Sequence, residues 1–144
     1  MAVTTTAYNA FKAKLLNGGG IDIDTDTIKV ALCTSTYTPS IDNHDFFDDI
    51  TNEVSGTGYS AGGATIAGLT VTQNNTTDRA VVTATNTTWT TSTITARYAV
   101  IYKSTGTAAT SPLICYVDFG ENKVSDGDNF IIDWDDTNGI FYLG

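Results

Sequence analysis

Positively charged residues are scarce in this sequence. Seven Lys and Arg stand against sixteen Asp and Glu among 144 residues, so the formal net charge is −9. A surface of this sign repels phosphate, and no cluster of Lys or Arg offsets the repulsion. We therefore expect no direct contact with nucleic acid.

Cysteine is also rare, and long apolar runs are missing. The two cysteines, Cys33 and Cys115, are too few for a disulfide framework and lie in strand-like segments, which favours buried reduced thiols, with a Cys33–Cys115 disulfide as the alternative. The first residues lack a charged region followed by a continuous apolar stretch, and no run reaches membrane-spanning length. We expect no signal peptide, no membrane partner and synthesis in a cytoplasm.

Threonine, in contrast, is abundant, and short apolar bursts alternate with Thr, Gly, Asn and Asp. Branched Cβ atoms favour strands over helices, and the intervening residues are typical of turns. The pattern predicts a single mainly β domain over residues 1–144: an antiparallel β-sandwich, or a partly open barrel, of about seven or eight strands with one short N-terminal α-helix.

That helix is predicted over about residues 6–17. A threonine, Thr5 or Thr6, is placed to cap it, and the glycines at 18–20 are placed to end it. Three apolar side chains at helical spacing share one face: Tyr8, Phe11 and Leu15.

The predicted strand-rich core covers residues 27–35 and 64–143. In the first strand the side chains alternate, which predicts one strongly apolar face. The segments RAVVTATNTTWT, PLICYVDFG and NFIIDW are each predicted to be separate strands. The step Asn138-Gly139 tolerates positive φ, so the last two strands, NFIIDW and IFYL, are predicted to pair as a hairpin.

Residues 36–63 form the least regular segment, which we interpret as a long surface excursion with a short strand or turn near Phe46–Thr51. Long loops in compact domains are usually functional or ordered by a partner. Its glycine run contains GYSAG, which fits the G-x-S-x-G nucleophile elbow around Ser60. The only histidine, His44, precedes this serine, and a strand-like segment follows it, so we predict a shaped glycine turn with Tyr59 as its anchor.

Three other sequence motifs are weak evidence for a dinucleotide, calcium or transition-metal site. GTGYSA fits a dinucleotide fingerprint but lacks the preceding strand and the following helix. DIDTDT has the odd-position aspartates of a calcium loop without its glycine or its bidentate glutamate, which leaves a weaker shared calcium site as an alternative to solvated turns. His44 among aspartates is poor evidence for a transition metal. We predict no catalytic residue, no cofactor and no metal site.

The aromatic residues could line a carbohydrate platform, although at strand spacing they are more typical of a core. They are Trp89, Trp134, Tyr98, Tyr102, Tyr116, Phe130 and Phe141.

Several blocks in this order resemble short β-rich virion structural proteins encoded by tailed bacteriophages. The resemblance covers most of the chain and is carried by YNAFKAKLL, DTIKVAL, ITNEVSGTGYSAGG, RYAVIYK, PLICYVDFG, DGDNFIIDW and NGIFYL. It implies a component of the particle rather than an enzyme, and it transfers no catalytic residue.

The resulting expectation is a capsid decoration (cement) protein, made in the host cytoplasm and located in the virion. Its expected partners are the major capsid protein and copies of itself, as a homo-oligomer. The first alternative is a tail, baseplate or fibre component that binds host-surface carbohydrate, and a remote one is a serine hydrolase acting through Ser60. We expect six side chains to make the subunit or capsid contacts: Tyr8, Phe11, Leu15, Phe46, Phe47 and Tyr59.

Overall fold

A computed structural model describes residues 2–144 and confirms the mainly β fold. It contains eight strands, one α-helix and two short 3-10 turns. In chain order these are β1 (Thr4–Ala7), α1 (Asn9–Leu16), β2 (Ile28–Cys33), a 3-10 turn (Phe47–Asp49), β3 (Ala64–Thr65), β4 (Thr70–Asn74), β5 (Arg79–Thr83), β6 (Thr87–Lys103), a 3-10 turn (Ala108–Thr110), β7 (Leu113–Ile132) and β8 (Phe141–Leu143).

The strands form two antiparallel sheets that pack as a sandwich. One sheet has five strands in the order β1-β7-β6-β2-β3, and the other has three in the order β4-β5-β8. The long hairpin of β6 and β7 is the spine of the larger sheet. Residues 87–96 and 123–132 of this hairpin extend past β1 and β2 as a two-stranded ribbon.

Two layers of buried apolar side chains stabilise the sheets, one on each face of the larger sheet. The inner layer lies between them and joins Val30 of β2 to Val82 of β5 and to Trp89 and Phe130 of the ribbon. The outer layer lies on the other face of the larger sheet, where segment 36–63 covers it. Strand β2 is therefore buried on both faces, and the expectation of a single apolar face is wrong because the covering segment turns the second face into core.

The cysteines lie on opposite faces of the larger sheet. Cys33 belongs to the outer layer and Cys115 to the inner layer, and both are free and fully buried. The preference for two buried thiols is confirmed, since the sheet itself separates the sulfur atoms.

The N-terminal region corrects one prediction. Thr5 and Thr6 do not cap a helix but pair with Val117 and Tyr116 of β7 as part of β1. Helix α1 begins only at Asn9, after Tyr8 in an extended conformation with no side-chain cap. The β-branched threonines follow their strand propensity because an open sheet edge is available to them.

The strand boundaries also differ from the predicted ones. The segment ATIAGLTVTQ is split at Gly68, whose φ is +66°, and β7 runs unbroken through the expected turn at SDGD.

Strand β8 pairs with β5, not with β7 as predicted. The Asn138-Gly139 step closes only an isolated bridge to Asp135, because the amide of Ile140 donates to the carbonyl oxygen of Val82 at 2.7 Å.

Candidate functional site

Tyr59 anchors the glycine run to the larger sheet. Its hydroxyl donates to Glu53 Oε1 at 2.7 Å and accepts the amide N–H of Leu32 at 2.9 Å. The amide of Gly62 donates to the same glutamate oxygen at 2.6 Å, and the Tyr102 hydroxyl donates to the Gly62 carbonyl oxygen at 2.6 Å. Burial and the hydrogen bond to Glu53 raise the pKa of Tyr59 well above its ordinary value. Tyr59 therefore forms its hydrogen bonds within the domain, although it is also predicted to contact a partner.

The glycines of this run permit close backbone approach. Gly63 has a φ of +75°, and a Cβ there would overlap the carbonyl oxygen of Val30. A Cβ at Gly56 would overlap the carbonyl oxygen of Thr93. The amide of Thr93 in turn donates to the carbonyl oxygen of Thr57 at 2.9 Å. The run is a tightly fitted connection between β2 and the ribbon, because only glycine leaves room for these contacts.

No side-chain hydrogen bond to the Ser60 hydroxyl is formed within residues 2–144. Ser60 lies exposed in a turn closed by the hydrogen bond from the Gly63 amide to its carbonyl oxygen, and β3 follows instead of a helix. His44 Nδ1 lies 2.9 Å from the Tyr37 hydroxyl, and no hydrogen bond within residues 2–144 joins it to Ser60. Because a strand and not a helix follows the turn, the dinucleotide fingerprint lacks the helix N-terminus that would bind a pyrophosphate.

Two of the six predicted contact residues are core residues. Tyr8 is fully buried with its hydroxyl 2.9 Å from that of Tyr37, and Phe11 packs edge-on against Phe141 with ring centroids 5.6 Å apart. The expectation that these two side chains face a partner is corrected, because β1 ties the chain to β7 and lays α1 on the domain's own core.

The other predicted contact residues of α1 and segment 36–63 keep some surface. Phe47 is half-buried and stacks on Tyr102 with ring centroids 4.1 Å apart, and the Lys14 ammonium lies 5.0 Å from the centre of the half-buried Phe46 ring. Leu15 has 39% of its surface exposed. These three side chains are available to a partner only in part.

Aspartates in the turns of this fold serve as turn caps and ion pairs, among them Asp26 of the DIDTDT motif. Asp26 accepts the amide of Asp22 at 2.7 Å and pairs with Lys103 at 2.9 Å. Asp135 accepts the amides of Thr137 and Asn138 at 2.7 and 2.6 Å, which lowers its pKa. Within residues 2–144 no three His, Cys, Asp or Glu side chains converge as a metal site would require.

Most of the aromatic residues considered for a carbohydrate platform belong to the core, as their strand spacing favoured. Trp89, Trp134, Tyr102 and Phe130 are each at least nine-tenths buried. A sugar-binding surface needs exposed ring faces, so this set of aromatic residues does not form one in the described arrangement.

A groove follows the side of the sandwich where β7 loses its neighbour β1. We call it the edge groove; its volume is about 1190 Å³, and it is lined by Val117, Phe119 and residues 3–5, 123–124, 129–135 and 138–142. Core residues such as Phe119 and Phe130 form its floor. Four of its apolar side chains are 47–67% exposed: Val3, Val124, Ile131 and Tyr142.

The backbone of β7 is unpaired along this groove. Strand β1 covers residues 115–118 only, and no other strand of residues 2–144 pairs with this side of β7 as far as Ile132. In a two-stranded ribbon alternate residues direct their N–H and C=O groups away from the partner strand. The amides of Gly120 and Asn129 already donate to the side chains of Asp118 and Asp128 at 2.8 Å. Elsewhere in residues 123–132 the outward N–H and C=O groups are open to another strand.

Negative charge is concentrated beside the groove. Residues 119–136 contain six carboxylates and one lysine, a net charge of −5, which is more than half of the −9 of the chain. The lysine, Lys123, is already paired with Glu121 at 2.6 Å. The groove thus combines exposed apolar side chains, free backbone groups and an acidic border.

The sequence pattern does not predict the edge groove, because it divides β7 into two short strands. The usable signal was Val124, an apolar residue between Lys123 and Ser125. Comparison with models of protein families, with curated proteins and with solved structures finds no match to this chain. Within residues 2–144 no helix has both the length and the apolar character needed to cross a membrane.

Proposed function

We propose that this chain is a virion structural protein of a tailed bacteriophage, and specifically a capsid decoration (cement) protein that binds and stabilises the major capsid shell. The resemblance of its ordered sequence blocks suggests the particle, and the edge groove supports a protein contact. The groove, at about 1190 Å³, is larger than the roughly 300–1,000 Å³ typical of small-molecule pockets, and it lies along an open backbone edge. These features suit a segment of protein better than a small ligand.

In this proposal the major capsid protein is the main partner, and the protein acts in the virion without direct contact to nucleic acid or membrane. Many copies, each bound weakly, would raise shell stability because binding favours the assembled state by mass action. The expected homo-oligomer stays a prediction, for which Leu15 and Leu16 at the end of α1 offer exposed apolar surface, 39% and 91%.

The test compares shells with and without the protein. Purified protein is added to shells that lack it, binding is measured by co-sedimentation, and heat release of the packaged DNA is followed with a DNA-binding dye. We expect saturable binding and release at a higher temperature. If the protein does not bind, or if both kinds of particle open at the same temperature, the proposal is wrong.

A further inference from the structure

We infer that the edge groove binds one extended, positively charged segment of a partner protein, which adds as a strand to residues 123–132 of β7, beyond the end of β1. This inference rests on the proposed function, since it states how the shell protein would be held.

The chain itself shows that this edge accepts a strand. Residues 4–7 pair with residues 115–118 in a regular antiparallel register, Thr4 opposite Asp118 and Ala7 opposite Cys115. Beyond Asp118 the pairing of β7 with β6 is interrupted at residues 119–122 and resumes at Lys123, and from there to Ile132 the other edge of β7 has no neighbour among residues 2–144. A second strand placed there would satisfy the outward N–H and C=O groups of β7, as in other cases of strand addition.

The exposed apolar side chains of β7 define the apolar half of the occupant. On the inner face Phe130 and Ile132 are already nearly buried. On the outer face Val124 and Ile131 are 67% and 54% exposed. Apolar side chains at alternate positions of the partner would bury this surface.

The charge around the groove determines which polar side chains the partner segment carries. Six carboxylates and one lysine in residues 119–136 favour Lys or Arg in the partner and disfavour a second copy of this chain, whose net charge is −9. Complementary charge speeds association and excludes wrong partners more than it adds affinity. A basic extended arm fits the edge groove, whereas an acidic strand does not.

The probe is a peptide of roughly nine residues, the length of an ordinary strand, with alternating Val and Lys. Two further peptides carry backbone N-methyl groups on the odd or on the even residues. A strand added to a single edge uses the N–H groups of alternate residues only. We expect one methylated peptide to lose binding by about tenfold or more and the other to bind like the parent. Equal binding of both methylated peptides, or tighter binding of a matched Val-Glu peptide, overturns the inference.

The protein variants locate the site. Val124→Lys with Ile131→Lys should abolish binding of the peptide and of shells. The matched control, Val71→Lys with Leu143→Lys, changes two side chains that are 47% and 49% exposed on the smaller sheet and should bind like the wild type. Unchanged thermal unfolding verifies that both variants fold.

The two proposals fail separately. If shells bind the wild type and the Val124/Ile131 variant equally, strand addition is wrong and the decoration function stands. If the wild type binds the peptide at this edge but never binds shells, the decoration function is wrong and the edge remains a site for basic strands.

Discussion

At the scale of single residues, Gly63 and Gly106 have similar backbones and different surroundings. Their φ angles are +75° and +86°, but a Cβ at Gly63 would overlap the Val30 carbonyl oxygen, whereas a Cβ at Gly106 meets no atom within 4 Å. We expect Gly106→Ala to cost about 1 kcal/mol from the left-handed backbone alone. Gly63→Ala should cost about 1–3 kcal/mol more, because β2 and the glycine run must separate. Chemical denaturation of the two variants measures the difference, and equal costs would show that the close approach is not rigid.

The two cysteines allow a second prediction at this scale. Burial, with a contribution from Glu53, raises the pKa of Cys33 to about 12, and burial also raises the pKa of Cys115. Since the thiolate is the reactive form, neither should react with a thiol reagent at pH 8 until the protein unfolds. Ser35→Cys, an exposed neighbour of Cys33, serves as the reactive control.

Absorbance of the released chromophore gives the number of reacting thiols. Zero in the folded wild type, one in the Ser35→Cys variant and two in denatured wild type are the expected counts. Reaction of either native cysteine in the folded state would mean that the sheet opens locally. Fewer than two thiols after unfolding without reductant would indicate a disulfide, against the separation of the sulfurs by the sheet.

At the scale of elements, the sequence indicated which segments are extended but not how they pair. Alternating Thr and apolar residues predict the strands around Ile28 and Val82 because that periodicity is local. The pairing of β8 with β5 joins residues about 60 positions apart, and no local signal encodes it. The local pattern predicts Thr5 or Thr6 as a helix cap, since a free edge on β7 is a property of the folded sheet and not of residues 4–7.

The candidate site shows the same difference between local and non-local features. The turn role of the glycine run could be predicted from Gly58, Gly62 and Gly63, because positive φ angles require such residues. The edge groove could not be predicted, because it arises where β1 ends and β7 continues. Turn residues such as Ser125 to Asp128 within β7 are normally read as a break, but here bulges in the pairing with β6 absorb them.

The 3-10 turn of segment 36–63 carries a pH prediction. Asp49 accepts the amides of Phe46 and Asp45 at 3.1 and 2.8 Å, and these bonds lower its pKa. A carboxyl whose folded pKa lies below its unfolded value, about 3.9, stabilises the fold above that value. This contribution disappears as the pH falls through the folded pKa.

The measurement compares the wild type with Asp49→Asn by denaturation between pH 6 and pH 2. We expect the wild type to be more stable at pH 6 and the difference to shrink steadily below about pH 4. Asp48→Asn, which removes the same charge from an exposed neighbour, is the control and should be as stable as the wild type at pH 6. A difference that stays constant with pH would assign the effect of Asp49 to shape and not to charge.

At the scale of the whole molecule, charge protects an edge that is otherwise suited to aggregation. Free strand edges pair with one another unless charge, bulges or covering segments prevent it. The unpaired part of β7 carries Asp126 and Asp128, with Asp133 directly after it, and opposing copies of this edge would place these like charges together. The carboxylates that attract a basic strand therefore also keep identical chains apart.

Neutralising this edge should promote self-association. The variant Asp126→Asn, Asp128→Asn, Asp133→Asn and a control with Asp24→Asn, Asp48→Asn, Asp78→Asn remove the same charge, so each keeps six of the nine formal negative charges. If net charge alone governs association, both variants behave alike. If the edge governs it, sedimentation velocity at low ionic strength detects larger species for the first variant at concentrations where the control matches the wild type. We expect the second result, since the control aspartates lie outside residues 119–136 and leave the acidic border of the groove intact.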